Sequence, residues 1–103
     1  MFKIATTVVL LSATASAAYA DERTTFCTQI GMLSSKVMEL RQQEIPLSTV
    51  MSSEVDPSLR ELRDAIVLQA YDTPAFSTAE NQKRAIDGYR NQQEIECFKA
   101  FKK

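Results

Sequence analysis

The chain has no histidine, only two glycines, three prolines and two cysteines among its 103 residues. Without histidine, serine–histidine and cysteine–histidine nucleophilic mechanisms are excluded. Zinc sites of the usual Cys/His type are excluded with them. There is no glycine-rich phosphate loop and no calcium-loop spacing of acidic residues. No catalytic residue, metal-ligating set or cofactor is therefore expected. Scarce glycine and proline disfavour a many-turned β-sandwich and suit helices. An excess of one charge is also missing: 12 basic residues face 13 acidic ones, a formal net charge of −1. That balance gives no footprint for nucleic acid or an anionic membrane. Nor is there a long hydrophobic run. The apolar stretch from Ile4 to Ala18 is shorter than the roughly 20 residues a membrane helix needs.

What the N-terminus does contain is the three-part signal-peptide pattern. Met1-Phe2-Lys3 is a short positive start, Ile4 to Leu11 is apolar, and Ser12 to Ala18 is small and uncharged. Ala18-Tyr19-Ala20 is a cleavage signature, and charge begins at Asp21 and Glu22. The expectation is a signal peptide over residues 1–20 and a single helical domain over 21–103, periplasmic or secreted, with no membrane insertion after cleavage. Cutting after Ala17 also fits, and an uncleaved anchor is the alternative. No cysteine stands at the cleavage point, which argues against a lipoprotein.

Two cysteines in an exported chain read as a disulfide, and Cys27 and Cys97 allow one pairing. The bond would tie the terminal helices and stabilise by roughly 4 kcal/mol in the chain-entropy model. Free or intermolecular thiols are the alternative. A catalytic thiol lacks a histidine base.

Pro46, Asp56-Pro57 and Thr73-Pro74 punctuate the rest, because residues before proline avoid helical geometry. A first helix is predicted from about Arg23 to Gln43, with Phe26, Ile30, Leu33, Val37 and Leu40 as its apolar stripe. Gly31 inside it costs about 1 kcal/mol of helix propensity and is compatible with a close helix crossing. Ser48 is expected to cap a short helix from Thr49 to Glu54. Asp56 and Pro57 are a good cap and first position for a middle helix. Leu59, Leu62, Ile66 and Ala70 should face inward, Ala65 and Val67 lie beside them, and Arg60, Glu61, Arg63 and Asp64 mark the wet side. Ser77-Thr78-Ala79-Glu80 has capping-box spacing and opens a last helix from Thr78 to about Phe101. Ala79, Gln82, Ile86, Tyr89, Gln93, Cys97 and Ala100 share one of its faces, and Ile95, Phe98 and Phe101 broaden the apolar surface. The fold class is all-α, a small bundle of three main helices plus one short helix, first and last joined by a disulfide.

Candidate chemistry is thin. Glu61 and Asp64 are close enough to be neighbours on a helix, but Arg60 and Arg63 beside them make a solvated ion-paired face the plainer account. Glu80–Lys83–Arg84 and Asp87–Arg90 read the same way, and such pairs contribute little. The aromatic residues sit at core spacings. Tyr71 to Phe76 reads as a hydrophobic staple into the last helix, with a recognition corner as the sharper alternative. Ile45, Leu47, Val50, Met51 and Val55 form an apolar-bearing connector, the candidate partner-binding surface; core filler is the plainer reading of its methionine.

Cys27, Arg41-Gln42 before Ile45-Pro46-Leu47-Ser48, Ala70-Tyr71 followed by Pro74, and Glu96-Cys97 occur in an order that resembles a group of small uncharacterised exported proteins of proteobacteria and their phages. The resemblance spans most of residues 21–103. It implies a bacterial or phage origin, a periplasmic setting and the Cys27–Cys97 bond, and it carries no activity. Periplasmic acid-stress chaperones and periplasmic immunity proteins against secreted toxins share only the format of a small exported helical chain with one disulfide. The leading expectation is a non-enzymatic periplasmic protein that binds another protein. A stress chaperone opened by acid and an immunity or inhibitor protein are the alternatives.

Overall fold

The structure is a computed structural model. It describes the backbone from Phe2 to Phe101 and side chains from Glu22 to Phe101. The side chains of the expected signal segment, residues 1–20, lie outside the described residues. No helix among the described residues is long and apolar enough to cross a membrane.

Four α-helices follow in order: α1 (Phe2–Gln42), α2 (Leu47–Met51), α3 (Arg60–Ala70) and α4 (Ala79–Ala100), with a 3-10 turn at Pro57–Leu59 leading into α3. The fold is all-α, with three main helices and one short one. Its longest interface is between α1 and α4. Helix α1 begins well before Arg23, because nothing between Phe2 and Gly31 is a proline or glycine that would break it.

The end of α1 shows how local chemistry sets a boundary. The Ile45 N–H donates to the Leu40 carbonyl at 3.1 Å and the Glu44 N–H to the Arg41 carbonyl at 2.9 Å. That is a Schellman closure, which needs a left-handed residue at its centre. Glu44 takes that place at φ 61°. Pro46 then starts α2 two residues earlier than Ser48 would. Its carbonyl accepts from the Thr49 and Val50 N–H groups at 3.0 and 3.3 Å. Ser48 is thus inside α2 and not its cap. The helix stops where the Ser52 and Ser53 hydroxyls donate back to the Ser48 and Val50 carbonyls, at 2.6 and 2.7 Å, an alternative to continued helix.

Asp56 caps as expected, its carboxylate accepting from the Ser58 N–H at 2.9 Å and the Ser58 hydroxyl at 2.8 Å. These two bonds, backbone first, hold the Asp56 carboxyl below the usual carboxylate range. The capping box is displaced by one residue. Thr78, not Ser77, is the cap of α4 and accepts from the Asn81 N–H at 3.2 Å. Glu80 pairs instead with Arg84 at 3.0 Å.

The core is Ile30, Val37, Met38, Val50, Ile66, Val67, Ala70 and Tyr89, with Leu33, Leu40, Ile45, Met51, Tyr71 and Ile86 packed around it. Two buried faces differ from the expected stripes. On α1 the face rotates towards Cys27, Ser34 and Met38, and leaves Phe26 40 % exposed. Ser34 is fully buried, and its hydroxyl donates to the Ile30 carbonyl at 2.7 Å. Gly31 stands against the Glu94 side chain of α4, where an added Cβ would lie 2.7 Å from Glu94 Cγ. Gly31 therefore leaves room for the Glu94 side chain of α4. On α3 the inward face is Arg63, Ile66, Val67 and Ala70, while Leu59 and Leu62 are exposed.

Candidate functional site

Arg63 is the largest departure from the sequence reading, which placed it on the wet side. It is 6 % exposed. Its Nη1 donates to the Ser53 carbonyl at 2.8 Å, its Nη2 to the Met51 carbonyl at 3.2 Å, and its Nε to Asp64 at 2.7 Å. The guanidinium thus sits on the carbonyls that end α2, where a cation is favoured. It fastens the 45–55 segment to α3.

That anchoring decides the fate of the expected contact residues. Val50 is 6 % exposed and belongs to the core. Ile45 and Met51 pack against the core. Val55 is half-buried, and Leu47 alone of the five is exposed. The segment's apolar face points inward, and Ser48, Thr49, Ser52 and Glu54 form much of its outer face.

A polar clasp completes this end. The Tyr71 hydroxyl donates to the Ile45 carbonyl at 2.6 Å. Arg41 Nε donates to the Thr73 carbonyl at 2.7 Å, and its guanidinium lies 5.2 Å from the Tyr71 ring centroid. Gln42 is buried and bridges twice: its Nε2 donates to the Pro74 carbonyl at 3.0 Å, and its Oε1 accepts from the Phe76 N–H at 2.8 Å. Burial raises the Tyr71 phenol pKa, and the Arg41 charge opposes that shift. The Tyr71 to Phe76 stretch is therefore a hydrogen-bonded corner. Arg41, Gln42, Ile45, Tyr71 and Pro74, far apart in sequence, meet here.

The opposite end is different. Cys27 and Cys97 form a disulfide with Cα atoms 5.6 Å apart, inside the ordinary range. Beside it lies a groove of 370 Å³, bounded by Phe26 and Ile30 on α1, Leu62 on α3, and Cys97, Ala100 and Phe101 on α4. Gln93 and Glu96 are the polar members of the lining. Phe26 and Phe101 meet edge to face with centroids 6.0 Å apart, a favoured aromatic geometry. Leu62 and Phe101 are 38 % and 37 % exposed. The groove is of a size that accepts a few side chains or a small ligand. Its lining is mostly apolar, and among the described residues it contains the acceptors of Gln93 and Glu96 and no cation.

The sequence reading gave these residues to the core stripes. A signal did exist. Cys27, Ile30, Ser34 and Met38 lie at helical spacing, so taking Cys27 as the centre of the buried face turns Phe26 outward. Arg63, Ile66, Val67 and Ala70 share one face in the same way, which turns Leu62 aside. The expected ion pairs are partly rearranged: Asp87 pairs with Lys83 at 2.5 Å, and Arg90 with Glu94 at 2.9 Å.

Fold and site together define a disulfide-tied all-α bundle with an apolar groove at its stapled end. No protein-family model matches the chain, and no curated protein or solved structure matches it.

Proposed function

We propose that this chain is an exported, non-enzymatic module that works in the periplasm by binding another protein. The observation that carries the reading is the groove of Phe26, Ile30, Leu62, Ala100 and Phe101, an apolar surface beside a covalent staple. Contiguous exposed apolar surface of this kind marks interaction sites. The occupant we assign is an apolar segment of a partner protein carrying a lysine or arginine. The apolar side chains meet the walls, and the cation meets Glu96. This reading moves the binding surface from Ile45–Val55, where Ile45, Val50 and Met51 serve the core, to the disulfide end.

The test is capture from periplasmic extract by the oxidised protein, with charge placed at chosen positions. The expected result is one stoichiometric partner, lost with Leu62→Glu and with Phe101→Glu. It is retained with Leu68→Glu, an exposed leucine outside the groove. Capture indifferent to the groove substitutions, or a smear of clients gained only at acid pH, would overturn the reading. The second outcome would favour the chaperone.

A further inference from the structure

The two cysteines of the disulfide are not equivalent in burial. Cys27 is completely buried in the packed face of α1. Cys97 is half-buried and lines the groove beside Ala100 and Phe101. Thiol–disulfide exchange proceeds by attack of a thiolate on one sulfur, and access decides which sulfur is attacked.

We propose that Cys97 is a thiol-exchange site, addressed by a thiolate that enters through the groove, with Cys27 as the internal leaving group. The incoming sulfur forms a bond to Cys97 Sγ as the Cys27–Cys97 bond breaks. Cys27 Sγ departs with the electron pair and takes up a proton. The product carries a mixed disulfide on Cys97 and a buried thiol at Cys27. Cys27 stays next to Cys97, so it returns the attack unless the incoming group is removed quickly. The substrate class is therefore a dithiol reductant. Its second thiolate attacks its own sulfur in the mixed disulfide, and Cys97 leaves and is protonated. The reductant ends as a disulfide, and this chain gains two electrons and two protons.

The groove's two long walls belong to α1 and α4, the helices that this bond ties. Opening the bond frees those walls from each other at the place where they form the groove. The oxidised chain has a built groove and the reduced chain a loosened one. Any consequence for partner capture rests on the protein-binding reading above; the choice of sulfur does not.

The test uses oxidised protein purified after export, treated with excess reduced glutathione and quenched at successive times with N-ethylmaleimide in acidic denaturant, which stops exchange and exposes Cys27 to the alkylating agent. Peptide mass spectrometry locates the glutathione. The expected first product has glutathione on Cys97 and the alkyl group on Cys27, favoured over the reverse isomer by on the order of tenfold. In denaturant the two isomers should form comparably. Ala100→Trp, which fills the groove from an exposed position, should slow the folded reaction without lowering Tm, and Leu62→Ala should speed it. Glutathione on Cys27 in the folded protein overturns the proposal. So does a rate that follows global unfolding and ignores both groove substitutions. The readout needs no partner, so its failure is separate from failure of the binding reading.

Discussion

At the end where α1 turns into α2, hydrogen bonds close the molecule. Arg63 holds the α2 carbonyls, Gln42 bridges to Pro74 and Phe76, and Tyr71 reaches Ile45. At the other end one covalent bond holds α1 to α4, and the apolar side chains around it stay open to solvent. The first end works only if its elements pack tightly, because buried polar groups are costly unless paired. The second is tied without needing its surroundings filled. The groove beside the staple is mostly apolar, whereas the hollow beside Arg63 is lined largely by polar residues, Ser52, Ser53, Glu54, Arg60 and Asp64 among them.

The strongest way to break the comparison is to cut the staple. Reducing the disulfide, or Cys97→Ser, should remove about 4 kcal/mol at most, the chain-entropy figure for a loop of this length. The sequence separation is 70 residues. Denaturant unfolding of oxidised and reduced protein checks it, and hydrogen exchange should show protection lost first around Phe26 and Phe101. Uniform loss through the clasp would erase the distinction between the ends.

Next is Arg63→Met, which leaves the α2 carbonyls without their cation. The expected cost is about 2–3 kcal/mol, as for hydrogen bonds to a charged group. Arg63→Lys should recover only part, since an ammonium cannot reproduce the fork. The same unfolding measurement decides it, and a change near zero would mean that the segment needs no anchor.

Tyr89→Phe is expected to cost about 1 kcal/mol, by loss of one neutral hydrogen bond. Its hydroxyl donates to the Ile66 carbonyl at 2.5 Å. Burial pushes the Tyr89 phenol from 10.0 up to about 12. Folding therefore favours the neutral form. That stability is complete below pH 10 and is lost as pH rises towards 12. Unfolding curves between those values should fall less steeply for Tyr89→Phe than for the parent chain.

Glu44→Gly should raise stability by about 0.5–1 kcal/mol, because glycine adopts the left-handed conformation without the Cβ penalty. A higher Tm at unchanged helical content is the expected reading. The smallest effect belongs to the groove. Leu62→Ser should stay within about 0.5 kcal/mol of the parent, as exposed positions do. A larger loss would show that Leu62 supports the core rather than lining an open surface.

The sequence showed the helices plainly, and it showed the faces less well. Asp56-Pro57 marks a start because proline's missing N–H costs nothing there. The α3 ending at Tyr71, the cap residue before Pro74, follows from the same stereochemistry. The expected contact residues are less exposed than their spacing suggested, for a definite reason. Apolar spacing says that Phe26, Leu62 and Val50 share a preference for burial, and it does not rank them when a neighbouring helix can cover only some. Arg63 was assigned to solvent because charge usually is, although its spacing to Ile66, Val67 and Ala70 put it on the buried face.

By itself, the sequence determined the all-α class, the approximate helix ends apart from the start of α1, and the only pairing open to its two cysteines, because these depend on local stereochemistry and on counting. The tertiary structure alone decided which apolar side chains were covered. The seating of the Glu94 side chain against Gly31 and the reach of Arg63 to the Met51 and Ser53 carbonyls are long-range packing events. They placed Val50 in the core with Ile45 and Met51 packed against it, and left the groove beside Cys97 open.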